Sequence, residues 1–420
     1  MTEGIQHSVT LNTEKCKGCI NCMKRCPTEA IRIRNGKAHI IEERCIDCGE
    51  CIRICQNHAK KAVFDGFEQL SNYRYTIALP APSLYGQFNH LEDIDLVLTG
   101  LKRIGFDDVF EVSRSAEVIS DLTRKIFQRE QLTRPCISSA CPAIEKLIAV
   151  RFPNLCDNLL PILAPVEIAA KKARAAAIKQ TGLKPEEIGI FFVSPCPAKV
   201  TSAKHPFGHT ERLIDGVLSC SDVYLRLLNV MKDITVPEQL AASGLVGISW
   251  SFAGGESAAL LKDKYLAADG IENAIKVLEE IEDDKLNHLD FVELSACPGG
   301  CVGGVLNVEN PFVARARIQA LRKFLPVSLN HFDPRNEDYS QYCWTTPVEY
   351  LPAFRLDEDT GKALEKLNMI EKITHTLPGL DCGLCGAPSC RAYAEDIVNG
   401  RITEERCVRQ RDQNSPPTTR

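Results

Sequence analysis

The sequence predicts a multidomain α/β protein, and three observations carry that prediction. Four-cysteine groups open and close the chain where apolar periodicity is weak, and between them short apolar runs alternate with helical patterns. A length of 420 residues allows two or three domains and at least one sizeable core. The composition shifts place the domains at residues 1–75, 76–355 and 356–420.

Bulk composition narrows the function. With 44% hydrophobic and 25% charged residues and a formal charge of -5, the chain lacks the basic excess that phosphate backbones demand, so nucleic acid is not an expected partner. The opening MTEGIQHSVTLN has no basic patch followed by an apolar core, and no stretch approaches the roughly 18 continuous apolar residues that cross a bilayer. A cytoplasmic protein without membrane contact is expected. Twenty cysteines are anomalous there, because reducing compartments keep thiols free and a chain of this size needs no disulfide staples. Metal ligation is the better account.

In the first segment, Cys16, Cys19, Cys22 and Cys26 precede Pro27 as CxxCxxCxxxCP, and Cys45, Cys48, Cys51 and Cys55 repeat the spacing with Gln56 in the proline's place. Three thiolates at three-residue spacing wrap one 4Fe-4S cubane, and the fourth reaches across to the other cluster. The expected sets are Cys16, Cys19, Cys22 and Cys55 for one cluster, and Cys45, Cys48, Cys51 and Cys26 for the other. Zinc favours paired CxxC units and has no use for crossed fourth ligands. With little apolar periodicity around them, the clusters hold this domain together and serve as an electron wire.

From about Tyr75, TIALPAP, DDVFEVS, EIGIFFVSP, LVGISWSF and DFVELSA read as buried strands, separated by helical patterns such as EDIDLVLTGLKRIG and ADGIENAIKVLEEIEDD. The implied sheets are largely parallel, and ligands then bind beyond the carboxyl ends of strands. Cysteines lie at such ends: SSACP with Cys141, SPCPAK with Cys196 and Lys199, and ELSACPGGCVGG with Cys297 and Cys301. Four thiolates from three loops could share one metal centre. Gly299, Gly300, Gly303 and Gly304 would let backbone approach a bulky inorganic group.

These three loops, in this order and after a double cubane domain, resemble the signature loops of the FeFe-hydrogenase family over roughly residues 1–350. The resemblance implies a bacterial-ferredoxin-like α+β domain, a central two-lobed α/β hydrogenase domain and a small C-terminal iron-sulfur domain. It implies an H-cluster: a cubane on Cys141, Cys196 and Cys297, bridged by Cys301 to a diiron subcluster with carbonyl, cyanide and a dithiolate bridge. Lys199 matches the lysine that hydrogen-bonds a cyanide, and Ala81-Pro82-Ser83 matches a turn lining the pocket. Ala253 to Leu261, AGGESAALL, resembles a further family pattern. The implied activity interconverts dihydrogen with protons and electrons, with a ferredoxin or another redox protein as electron partner and hydrogenase maturation proteins supplying the diiron group.

The chain departs from the family's proton relay. Ala140 stands where a proton-carrying cysteine is usual, Leu160 where a serine is usual, and the helix near residues 118–128 offers only Asp121 where two glutamates are usual. Ser194 and Ser295 replace two methionines beside the diiron site. A methyl group carries no proton, and losing a positioned acid typically costs about 100- to 10,000-fold. Turnover is therefore expected to be slow, with Glu145, Glu256 or ordered water as a substitute.

Near the C-terminus, Cys382, Cys385, Cys390 and Cys407 are similar to a small iron-sulfur motif of membrane-linked ferredoxin-oxidising complexes and some hydrogenase-like proteins, so a third 4Fe-4S cluster outside the active site is expected. Lying at the end opposite the ferredoxin domain, it offers electrons a second exit. Together with the lost relay, this layout resembles the hydrogen-sensing groups of the family and implies a separate signalling partner. The terminal RQRDQNSPPTTR is expected to be disordered. A homodimer is compatible with the reading.

Cys136, Cys156, Cys220 and Cys343 lack partners at useful spacing and read as packing residues. His58, His205 and His209 read as structural or solvated. The competing function is a non-catalytic iron-sulfur assembly or scaffold protein of the nuclear-prelamin-recognition-like type, with a cubane but no diiron subcluster.

Overall fold

Three of the five apolar runs form the expected buried strands: Tyr75–Pro80, Ile188–Ser194 and Phe291–Ser295. These belong to a computed structural model that describes residues 7–129, 132–402 and 407–409. Two runs behave differently. DDVFEVS contributes only the strand Asp108–Val109, and the chain enters the helix Val112–Arg129 immediately afterwards. LVGISWSF is not a strand but the short helix Leu245–Ser249. A short apolar run does not declare its period, and glycine decides here. A Cβ on Gly247 would lie 2.2 Å from the Ser113 carbonyl oxygen, so only glycine lets this helix pack directly on the longer one.

The larger unit comprises Ile46–Gly49 and Ala62–Tyr350. One of its sheets runs Asp108–Val109, Tyr75–Pro80, Ile188–Ser194, Gly216–Ser219, all parallel. The other runs Tyr265–Asp269, Phe291–Ser295, Cys136–Ile137, also parallel. Two parallel sheets with helices between their strands give the two-lobed α/β form. Because such strands are covered on both faces, they read as unbroken apolar runs, as Ile188–Ser194 does with every residue buried. The packing around Ile77, Leu79, Ile190 and Phe192 on one face and Ala78, Phe191 and Val193 on the other fixes where the strand ends point.

The smaller unit joins residues up to Cys45 and Glu50–Lys61 with those from Leu351 onward. Strand Val9–Leu11 pairs with Lys60–Ala62, and Ile31–Arg34 pairs antiparallel with Lys37–Ile40. Single-turn helices Asn21–Lys24 and Glu50–Arg53 carry cysteines. This is the ferredoxin-like form expected.

The cysteine-rich C-terminal segment does not stand apart from it, which corrects the expectation of a cluster at an opposite end. Helices Thr360–Thr376 and Cys390–Val398 fold back within the same unit. The Ile33 amide donates to the Gly386 carbonyl at 2.9 Å, and Lys24 Nζ donates to the Asp381 and Pro388 carbonyls at 2.6 and 2.8 Å. Asp396, fully buried, receives Arg32 Nε and Arg34 Nη2 at 2.6 Å each. A paired buried carboxylate of this kind is costly to break. Of the segment 409–420 expected to be disordered, all but Arg409 lies outside the described residues.

Candidate active site

Two of the cysteines owe their position to the proline that follows them. Proline lacks an amide hydrogen and fixes its own φ, so it starts a helix and drives the preceding residue into extended geometry. Cys141 (φ -108°, ψ 102°) precedes the helix Pro142–Arg151, and Cys196 (φ -149°, ψ 155°) precedes Pro197–Lys204. Each therefore sits at a strand-to-helix turn, past Cys136–Ile137 and Ile188–Ser194. Cys297 and Cys301 follow Phe291–Ser295. Here two of the glycines serve protein packing. Gly300 has φ 87°, and a Cβ on it would lie 2.4 Å from the Ala253 nitrogen; one on Gly304 would lie 2.2 Å from the Pro195 oxygen. Both contacts seat the third loop against its neighbours.

Electrostatics shows which thiols meet. Burial pushes the Cys196 thiol up to about 12; Lys199 opposes this, while Cys301 and Cys141 add to it. Burial also raises Cys301, with Lys199 again opposing and Cys141, Glu293 and Glu256 adding. For Lys199, burial works against the ammonium, but the Cys301, Cys196 and Cys141 thiols and Glu145 together hold it above its ordinary value. Its Nζ donates to the Ala140 carbonyl at 2.9 Å. Lys199 thus ties the Cys196 loop to the Cys141 loop, with Cys301 within its electrostatic reach. Cys297 is buried on the same loop as Cys301.

A donor set of this kind fits an iron-sulfur group. Thiolate is the ligating form, burial alone disfavours it here, and one lysine cannot balance several thiolates; a cationic metal core supplies what is missing. Pro82 and Ser83 are buried at the end of Tyr75–Pro80. A cavity of about 660 Å³ in the same unit, bordered by Phe252, Arg315 and Arg322, is lined by none of the four cysteines.

Two neighbours, Cys220 and Glu293, were not legible as site residues, whereas Glu256 and Glu145 were. Cys220, set aside as packing, is fully buried, donates to the Val193 carbonyl at 3.8 Å, and has its thiol driven well up by burial, with Cys196 and Cys301 adding and Ser83 opposing. Glu293, hidden in an apolar strand, accepts the Gly254 and Ser257 amides at 2.9 and 2.8 Å. Glu256 accepts Ser138 Oγ at 2.6 Å, and burial, then Glu293, raises its carboxyl to about 8. Glu145 is pushed well above the carboxylate range by burial and by Glu167, and Glu167 meets His209 Nε2 at 2.9 Å.

The departures noted in the sequence have structural counterparts. Ala140 offers only backbone, its amide donating to Ser138 Oγ at 3.2 Å. Leu160 lies in an apolar cluster with Ile162, Phe291 and Phe332. Asp121 has its carboxyl lowered: burial would raise it, but ion pairs to Lys125 and Arg124 prevail. Ser194 Oγ donates to the Cys196 carbonyl at 3.0 Å, and Ser295 ends its strand.

In the smaller unit, burial raises Cys22 to about 11, Lys60 opposes, and Cys19, Cys55 and Cys16 add, so the first crossed set stands together. Cys26 and Cys55 each receive an amide at 3.2 Å, from Ala30 and Ala59. Cys48 lies in the short stretch grouped with the larger unit, between Cys45 and Cys51 of the smaller. Burial raises Cys385, with Cys407 and Cys382 adding, while the Cys390 amide caps on Asp381 Oδ1 at 2.6 Å.

Known proteins resemble this chain in sequence and fold. The family described as iron only hydrogenase large subunit, C-terminal domain, matches residues 74–242 and 252–305; a 4Fe-4S dicluster domain matches 8–56, and an Fe-S cluster motif 377–409. Iron hydrogenase 1 of Clostridium pasteurianum is 25% identical over 374 residues, which span 71% of this chain and 64% of that one. The periplasmic Fe hydrogenase large subunit of Nitratidesulfovibrio vulgaris is 22% identical, over 71% of this chain and 86% of its own. A solved variant of FeFe-hydrogenase HydA1 from Chlamydomonas reinhardtii superposes with a TM-score of 0.50 at 17% identity, covering 66% of this chain and 95% of that one. That likeness concerns the fold.

Proposed function

The chain belongs to the iron-only hydrogenase family, and from that premise we propose that it interconverts dihydrogen with protons and electrons, slowly, as a hydrogen sensor. The observation that carries the reading is that Lys199, three residues after Cys196, reaches the Ala140 carbonyl beside Cys141 and feels the Cys141, Cys196 and Cys301 thiols, from loops far apart in sequence. Cys297 completes the set that would hold a cubane, with Cys301 as its bridge to a diiron group. When bound, that group supplies the site where the hydrogen-hydrogen bond is made or broken. The protein's own residues do the rest. Lys199, fixed by the Ala140 carbonyl, presents an ammonium to anionic ligands. Pro82, Ser83 and the three loops exclude water.

Proton supply is what limits this chain. Ala140 offers no acid, and Leu160 closes the usual route with hydrocarbon. A substitute is Glu256, held protonated into the neutral range and hydrogen-bonded to Ser138, whose Oγ also receives the Ala140 amide. The two ferredoxin sets and Cys382, Cys385, Cys390 and Cys407 would hold three further 4Fe-4S clusters, which would supply an electron route to a redox protein. No helix among the described residues is long and apolar enough to cross a membrane, and we place the protein in the cytoplasm although one relative is described as periplasmic.

Infrared spectra of the chain matured with hydrogenase maturases test this. Bands of iron-bound carbonyl and cyanide are expected, and their loss in Cys301→Ser. Fully loaded cubanes without such bands would return the protein to the scaffold reading.

A further inference from the structure

The two halves of the ferredoxin-like region repeat each other, residues 29 apart in sequence taking matching places. Cys26 donates its amide to Met23 at 3.3 Å as Cys55 does to Ile52. Glu29 and His58 both take left-handed backbone, at φ 49° and 47°. Ala30 and Ala59 both donate to a cysteine sulfur at 3.2 Å, and their carbonyls accept the amides of Ile41 and Asn12 at 2.7 and 2.8 Å.

One residue further on, the repeat breaks in charge. Ile31 opens its strand in one half, 2% exposed; Lys60 opens the matching strand in the other, 3% exposed. Both lie equally deep, so the difference is not one of surface against core. Lys60 Nζ has no hydrogen-bond partner among the described residues. An amine in that condition bears the full cost of leaving water. It lines a small cavity together with Cys16, Cys19, Cys22 and Cys55, and its charge favours the Cys22 thiolate against burial. A 4Fe-4S cube on four thiolates is an anion, and each electron it accepts makes it more so.

We propose that Lys60 is the built-in counter-cation of the cluster on Cys16, Cys19, Cys22 and Cys55, and that it makes this cluster the electron sink of the pair. The inference rests on the iron-sulfur reading of these thiols, not on hydrogen chemistry. Reduction adds one electron to the iron core; no bond forms or breaks and no proton is taken up. The buried ammonium stabilises that added charge with little screening by salt. The other cluster has the neutral Ile31 at the matching place, and Arg44, buried beside Cys45, is already paired with Glu395. An electron reaching the ferredoxin-like region therefore rests beside Lys60.

The test is an EPR-monitored redox titration of the full-length, reconstituted chain, with iron content checked in each sample. Lys60→Met should lower one cluster's potential until its share of the first electron falls about tenfold, which for a one-electron couple is about 59 mV. The remaining signals should stay in place. Lys60→Gln, a polar replacement should methionine prevent loading, is expected to do the same, and Lys60→Arg should keep the parent potential. Unchanged potentials in loaded Lys60→Met or Lys60→Gln would overturn the proposal. So would Lys60→Arg displaced as far as Lys60→Met, since shape and not charge would then be at work. The presence or absence of carbonyl and cyanide bands leaves this titration unaffected, so the two readings fail separately.

Discussion

The two units gather their thiols in opposite ways. In the smaller one, Cys16, Cys19 and Cys22 reach a common place because one short stretch of chain carries them there, and only Cys55 comes from elsewhere. In the larger one, Cys141, Cys196 and Cys301 come from three loops, and two parallel sheets must form before all three can meet. The first arrangement survives rearrangement of its surroundings. The second depends on the whole core, which also lets that core decide what else surrounds the thiols. On the proposed reading, Ala140 and Leu160 stand in place of a chain of acids, and the raised Glu256 lies within electrostatic reach of Cys301.

The largest expected effect restores one link of that chain. Ala140 is half-buried, with its amide on Ser138 and its carbonyl on Lys199, so a cysteine side chain can be added without moving the backbone. Ala140→Cys should raise hydrogen turnover by about 100-fold or more, within the usual range for a positioned general acid. Turnover of the matured parent already equal to that of the variant would show that proton supply is not what slows this chain.

The same contrast explains what could be read in advance. Cysteine spacing within a run is local geometry, so the crossed set of Cys16, Cys19, Cys22 and Cys55 was legible. The strand-end positions of Cys141 and Cys196 were legible too, because proline after cysteine writes a strand-to-helix turn into the sequence. Cys220 and Glu293 were not, since each lies in an apolar stretch and gains meaning only when another loop arrives. LVGISWSF misled because Gly247 matters through a contact with Ser113, remote in sequence. The return of the C-terminal segment onto Arg32 and Arg34 is likewise a long-range pairing that no periodicity announces.

That pairing gives the second prediction, and it asks how far the smaller unit's local construction suffices. Asp396→Ala leaves Arg32, 4% exposed, and Arg34 without their carboxylate. Stranding buried charge in this way typically costs about 3–5 kcal/mol. Denaturant unfolding should show a loss of that order, with iron content falling by the share of the C-terminal cluster and the ferredoxin share retained. A loss below about 1 kcal/mol would mean that the carboxylate is dispensable and that Lys24 and the backbone bonds at Gly386 hold the segment.

The smallest effect lies in the larger unit and concerns where its spare proton sits. Burial first, then the neighbouring Glu293 carboxylate, lifts Glu256 from 4.5 to about 8, while Ser138 and Lys199 pull the other way. Because the folded value lies above the unfolded one, the folded state binds the extra proton. The stability this lends is complete below about pH 4.5 and is lost as pH rises through about 8. Glu256→Gln keeps the shape and an acceptor for Ser138 but cannot ionise. Its stability should therefore fall less than the parent's between about pH 5 and pH 9, with the two nearly equal at the acid end. Parallel pH profiles would place the proton on Glu293 or Glu145 instead, and would move the substitute relay to whichever of those carboxyls carries it.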